Sequence, residues 1–185
     1  RGHPDRSSTD RVWVVDPLDG TREFAEPPRT DWAVHVALAE AGRPTAGAVA
    51  LPGIGLTLST AEPPTSSALP PIPTRPRIVV SRTRPAREAL AVADALGADL
   101  VEMGSAGAKA MAVVRGEADA YVHTGGQHEW DSCAPVAVAL ATGLHATRVD
   151  GSALDYNQAD PYLPDLVVCR TELAGRILAA LASLA

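Results

Sequence analysis

Val12-Trp13-Val14-Val15-Asp16-Pro17-Leu18-Asp19-Gly20-Thr21 is the stretch from which the rest of the chain is best read. Four apolar, mostly β-branched residues predict a buried strand. They lead straight into a tight turn, in which Pro17 fixes its own φ and Asp19-Gly20 lets the backbone reverse. Asp16 and Asp19 are thereby expected to point into one small space with the Leu18 carbonyl between them. Two carboxylates and a carbonyl dipole repel one another unless a cation lies there. An all-oxygen donor set of this kind suits a hard ion such as Mg²⁺. The Gly20 and Thr21 amides follow, where a helical turn would aim N–H groups at an anion. A metal and a phosphate on one turn point to phosphate ester chemistry. Asp-Gly beside Pro also makes an ordinary loop corner, so the site needs a further acid from elsewhere in the chain.

The bulk properties narrow the class. With 185 residues, the chain can bury a sizeable core as one domain or two small lobes. Hydrophobic residues make up 46% and charged residues 21%, an ordinary balance for a globular protein. A net charge of −6 argues against a general nucleic-acid or membrane-surface binder. No apolar run approaches a membrane span, and no signal-peptide pattern precedes the first strand. Cys133 and Cys169 lie far apart in apolar segments and are read as reduced core thiols of a cytoplasmic protein. Of the 16 basic residues only Lys109 is a lysine, which fits either a need for a compact ammonium or chance survival on an exposed helix face.

Along the chain, residues 1–10 read as a loop before the strand Arg11–Val15, and Thr21–Phe24 as one helical turn. Between Asp31 and Leu38, Trp32, Val34, Val36 and Leu38 alternate with smaller residues, giving a strand with one face of large side chains. A turn over Ala41-Gly42-Arg43-Pro44 leads to strands Thr45–Leu51 and Gly55–Thr60, an antiparallel meander. Residues 61–76 hold six prolines and read as a linker or long exposed loop. Beyond it the rhythm changes to alternating strands and helices, an α/β lobe over residues 77–185. Its helices are expected at Ala86–Leu96, Ala108–Arg115, Ser132–Thr142 and Thr171–Leu184. Its strands are expected at Arg77–Ser81, Asp99–Met103, Ala118–His123, His145–Arg148 and Leu166–Cys169. His123 and His128 flank a Gly125-Gly126 turn without the spacing of a zinc site, and are read as loop residues.

The distant acid is Asp131. In Glu129-Trp130-Asp131, ahead of a helix, a carboxylate can serve as a cap and as a metal ligand at once. Asp16-Pro17-Leu18-Asp19-Gly20-Thr21 together with Trp130-Asp131 resembles the paired signatures of the inositol monophosphatase superfamily of Mg²⁺-dependent, Li⁺-sensitive phosphatases. Thr21-Arg22-Glu23-Phe24, Gly104-Ser105-Ala106-Gly107-Ala108-Lys109 and Asp150–Asn157 are similar, within it, to the CysQ-type 3′(2′),5′-bisphosphate nucleotidases. The likeness runs from about Arg11 into the last helix.

That resemblance implies an α+β fold, the layered αβαβα sandwich shared with fructose-1,6-bisphosphatases, here without its N-terminal helical segment. Residues 1–60 would be the C-terminal part of a metal-binding lobe, 61–76 the linker and 77–185 the second lobe. It further implies two or three Mg²⁺ ions, with Asp16 bridging two of them, the Leu18 carbonyl on the first, and Asp19 and Asp131 on the second. Gly20 and Thr21 amides would bind the scissile phosphate, and the Thr21 hydroxyl would orient the attacking water. Lys109, with Ser105, would meet a second phosphate, with Arg82 and Arg84 as secondary candidates; Tyr121 and Tyr156 are expected to pack. The substrate would be adenosine 3′,5′-bisphosphate, hydrolysed to AMP, or the related sulfonucleotide. Inositol and sugar phosphates on the same scaffold, and a non-catalytic binding remnant, are the competing expectations. A homodimer is the assembly the family suggests. One departure stands out: the family carries an acidic pair just before the first strand, whereas residues 1–10 contain no Glu. The chain is therefore expected to be truncated after that pair and to have little activity alone.

Overall fold

The computed structural model describes residues 5–184. Two sheets and two helical layers alternate. The first sheet is an antiparallel meander of β1 (Arg11–Asp19), β2 (Ala33–Glu40), β3 (Arg43–Leu51) and β4 (Leu56–Ser59), in that order. A helical turn, α1 (Thr21–Phe24), follows β1. The two-residue reversal at Ala41-Gly42 has positive φ at both positions, so Arg43 and Pro44 already belong to β3 rather than to the turn.

The second sheet comprises β5 (Arg77–Ser81), β6 (Asp99–Met103), β7 (Ala120–His128), β8 (His145–Thr147) and β9 (Tyr162–Cys169), in the order β6-β5-β7-β9-β8. Its β5 is parallel to β6 and β7, whereas β9 runs antiparallel to β7 and β8, so the lobe is mixed. Helices α2 (Arg87–Leu96), α3 (Ala106–Val114), α4 (Glu129–Thr142) and α5 (Thr171–Ala182) complete the fold.

Strand alternation sorts the second sheet's side chains to its two faces. Val79, Tyr121, Leu166 and Val168 join α3 and α4, while Ile78, Val80, Ala120, Val122 and Val167 join α2 and α5. The α3–α4 layer also receives Ala33, Ala37, Ala39, Val49 and Leu51 from the first sheet. The order of layers is thus sheet, helices, sheet, helices, in keeping with the layered α+β fold.

Two expectations change. Alternation in β2 holds, but the covered face is Ala33, His35, Ala37 and Ala39, not the face of large residues. Small side chains let α4 come close: a Cβ on Gly47 of β3 would sit 2.9 Å from Ala137 Cβ and 3.1 Å from the Ala134 carbonyl. The other face leaves Trp13 69% and Val36 39% exposed. The proline-rich segment is a largely exposed connection with a few anchored points. Leu69 and Ile72 pack against the two core clusters, and Arg170 Nη1 donates to the Pro70 carbonyl at 2.9 Å. Gly125-Gly126 is a bulge inside β7, not a turn, since pairing with β9 resumes at Gln127.

Candidate active site

The Asp-Pro-Leu-Asp stretch does not reverse the chain. It continues β1, with a register shift against β2 between Asp16, opposite His35, and Asp19, opposite Ala33. In a regular strand, residues three apart face opposite sides. One extra residue in the bulge brings Asp19 back to the face of Asp16, and Pro17, which has no N–H to give the ladder, suits a bulge. The reversal comes only at Gly20, whose φ is +84°. A Cβ there would crowd Ser105 Cβ at 3.0 Å and Trp32 Cβ at 3.2 Å, so glycine is needed twice over.

Asp131 arrives from the other direction. The helix starts earlier than expected, so Asp131 lies in the first turn of α4, with His128 as its cap. Asp131 Oδ2 accepts the His128 amide at 2.7 Å, and the rest of the carboxylate faces the acids of β1. Candidate ligand oxygens of Asp16, Asp19 and Asp131 all lie within 4.8 Å of one another. The three acids, the outermost of them 115 positions apart in the chain, therefore converge.

Their electrostatics are those of a seat for a cation. Burial pushes the Asp131 carboxyl up to about 6, the His128 amide works against this, and Asp19 and Asp16 add to the rise. Asp16 is also raised, by burial first, opposed by the Leu18 amide and reinforced by Asp19. Crowded carboxylates held in place by the fold, all of them hard oxygen donors, fit a divalent ion.

Each acid is held at one oxygen and left with another. The Leu18 amide donates to Asp16 Oδ1 at 3.0 Å. Asp19 Oδ2 accepts the Ser105 hydroxyl at 2.6 Å and the Gly107 amide at 2.7 Å. Ser105 does two jobs, because its Oγ also accepts the Ala108 amide at 3.0 Å as the cap of α3. Thr21 opens α1 on the exposed rim, its hydroxyl 3.4 Å from the Leu18 carbonyl. That places a hydroxyl, a carbonyl and the uncapped start of α1 beside the acids.

Lys109 lies in the first turn of α3, a helix buried along its whole length; it is 6% exposed, with Nζ donating to the Gly104 carbonyl at 3.2 Å and lying 5.2 Å from the centre of the Tyr121 ring. Burial lowers its pKa, while Asp19, Glu23, Asp31 and Asp131 oppose that change. Its ammonium is a buried countercharge to these nearby acids. Arg82 is likewise engaged, with Nε 2.7 Å from Glu23 Oε1 and Nη2 2.7 Å from Glu26 Oε2, while Arg84 is exposed. Tyr121 and Tyr156 are buried and packed, as expected.

Sequence reasoning missed Glu23, Asp31 and His35. Asp31 pairs with Arg29 and accepts the Gly104 amide at 2.6 Å. Burial works against the Asp31 carboxylate, but Arg29 and the Gly104 amide hold its pKa below the usual value. Glu23 lies so close to Gly104 that a Cβ there would be 2.1 Å from Glu23 Cγ and Cδ. The available signal was the pair Gly104 and Gly107 around Ser105, which marks a backbone approached closely from both sides.

The whole chain resembles known proteins. The model of the inositol monophosphatase family matches residues 2–184. A 3′-phosphoadenosine 5′-phosphate phosphatase of Mycobacterium bovis is 54% identical over 183 residues, covering 96% of this chain and 68% of the relative. The 3′(2′),5′-bisphosphate nucleotidase CysQ of Escherichia coli is 31% identical over 171 residues, covering 85% and 67%. Among solved structures, CysQ from Bacteroides thetaiotaomicron superposes with a TM-score of 0.75 at 24% identity, over 91% of this chain and 74% of that one. Inositol monophosphatase II from Staphylococcus aureus gives 0.77 at 20% identity, over 97% and 72%.

Proposed function

The chain belongs to the inositol monophosphatase family, and from that premise we propose that it is a Mg²⁺-dependent phosphatase that hydrolyses the 3′-phosphate of adenosine 3′,5′-bisphosphate to leave AMP. The convergence of Asp16, Asp19 and Asp131 beside Gly20 and Thr21 carries the phosphatase reading. The 54% identity to a relative named for this nucleotide supports the substrate. The related sulfonucleotide is a second substrate of the same chemistry.

Asp16, Asp19, Asp131 and the Leu18 carbonyl are the groups that would hold the ions. A divalent ion supplies Lewis acidity, favouring loss of a proton from a water nucleophile and offsetting charge on the leaving oxygen. Ser105 and Gly107 fix one oxygen of Asp19, so the other keeps its direction. Thr21 orients the attacking water through its hydroxyl, whose neighbour is the Leu18 carbonyl. Gly20 and Thr21, at the start of α1, receive the scissile phosphate on backbone amides. Lys109 limits mutual repulsion of the acids.

Cys133 and Cys169 are free, buried in separate clusters, and pushed up to about 12 by burial, which supports the cytoplasm as the compartment. No helix among the described residues is long and apolar enough to cross a membrane. A homodimer is part of the same proposal, and sedimentation of the purified chain checks it.

The test is phosphate release from adenosine 3′,5′-bisphosphate, inositol 1-phosphate and fructose 1,6-bisphosphate, each with and without Mg²⁺. The nucleotide is expected to be strongly preferred and the metal to be needed. Equal turnover of all three compounds removes the substrate assignment. Nucleotide binding without hydrolysis favours a non-catalytic role.

A further inference from the structure

His35 projects from the inner face of β2 toward α3 and α4 and is 1% exposed. Its Nδ1 faces the Trp130 carbonyl at 3.0 Å, so Nδ1 is the donor there, because a carbonyl can only accept. Its Nε2 is buried without a hydrogen-bond partner and lies 3.4 Å from Asp19 Oδ2. One ring thus touches the Asp19 carboxylate on one side and, on the other, the backbone of the residue immediately before Asp131. Its space depends on α3: a Cβ on Gly107 would lie 2.0 Å from His35 Nε2.

A buried polar ring is costly unless its nitrogens are used, and an apolar residue would fill this part of the core at lower cost. The ring is also placed where it has most leverage. Asp19 ends β1 and Asp131 begins α4, and His35 reaches both. We propose that His35 is a positioning residue of the metal centre, setting the distance between Asp19 and the turn that carries Asp131. The inference rests on the metal-centre reading above and adds a residue to it. His35 is not itself a ligand, because its free nitrogen points at the Asp19 oxygen already occupied by Ser105 and Gly107. Residues behind metal ligands commonly change metal affinity by about 10–100-fold when altered.

Two substitutions separate this role from simple packing. The amide of His35→Asn can keep the bond to the Trp130 carbonyl but falls short of Asp19. The longer amide of His35→Gln can reach Asp19 Oδ2. Mg²⁺ binding is measured by calorimetry on the 185-residue chain, with near-ultraviolet circular dichroism to check folding. The expected result is a loss of about tenfold in affinity for His35→Asn and recovery to within about threefold of wild type for His35→Gln. Wild-type affinity in the Asn variant, or equal losses in both, overturns the proposal. Should the Asn variant not fold, the Gln variant decides alone, and a tenfold loss there overturns it. Absence of Mg²⁺ binding by the wild-type chain brings down the metal reading itself, an outcome distinct from normal binding that ignores position 35.

Discussion

The Ser105 hydroxyl donates to Asp19 Oδ2 at 2.6 Å, a bond between residues 86 positions apart that fastens α3 to the end of β1. Ser105 also adopts φ +42°, rare for a side chain with a Cβ, so the backbone is bent to bring that hydroxyl to its place. Ser105→Ala removes the cap of α3 and a donor to a buried carboxylate together. A loss of about 2 kcal/mol is expected, from typical values for each. Urea denaturation without metal measures it, and Mg²⁺ affinity should fall several-fold in the same variant.

Asp131 gives a pH signature. Its folded pKa is raised, to about 6, above the ordinary carboxylate value. The folded state therefore holds the proton more tightly than the unfolded state. This contribution to metal-free stability is fully present below the ordinary carboxylate range and is lost as pH rises through about 6. Asp131→Asn cannot ionise but can still accept the His128 amide. In EDTA the variant should melt above the wild type at neutral pH, and the gap should close as the pH is lowered toward 4. Added Mg²⁺ should raise the wild-type Tm at neutral pH, less so below pH 6, and leave the variant unchanged. A Tm gap that does not vary with pH would count against the assignment.

Gly104→Ala drives a methyl group into Glu23 and away from the Arg82 ion pair. Overpacking of this kind costs about 3 kcal/mol. Glu23→Ala in the same chain opens the space, so the double variant should be more stable than the sum of the two single losses. A double-mutant cycle by chemical denaturation reads that coupling directly.

The outer face of the first sheet exposes Trp13, Val15 and Val36 together. Contiguous apolar surface drives association. Trp13→Ser combined with Val36→Thr should lower concentration-dependent light scattering of the chain while leaving its far-ultraviolet circular dichroism as it was. Unchanged scattering would show that this face is not what brings copies together.

Most strands and helices were legible from alternation and from the glycines that end helices, Asp16 and Asp19 from their spacing, and Asp131 from the resemblance of Trp130-Asp131 to the second family signature. What escaped the sequence came from packing. Asp-Pro-Leu-Asp has the composition of a turn, yet a bulge carries β1 through it, because pairing with β2 outweighs local preference. Trp130 and Asp131 look like a loop before a helix, but His128 caps the helix one turn earlier. In β2 the larger residues suggested the buried face. Only the docking of α4 against Gly47 shows why the small ones are inside. Lys109 follows the same rule: its position in the chain does not reveal that α3 is buried along its whole length, with Tyr121 and the Gly104 carbonyl around the ammonium.

The α3–α4 layer sits between the sheets and shares one apolar cluster with both. Asp19 is fastened to α3 and Asp131 is carried by α4, so drawing the two apart would mean tearing that shared interior. The seat for an ion is therefore one packed unit among the described residues, reached from the rim where Thr21 is exposed.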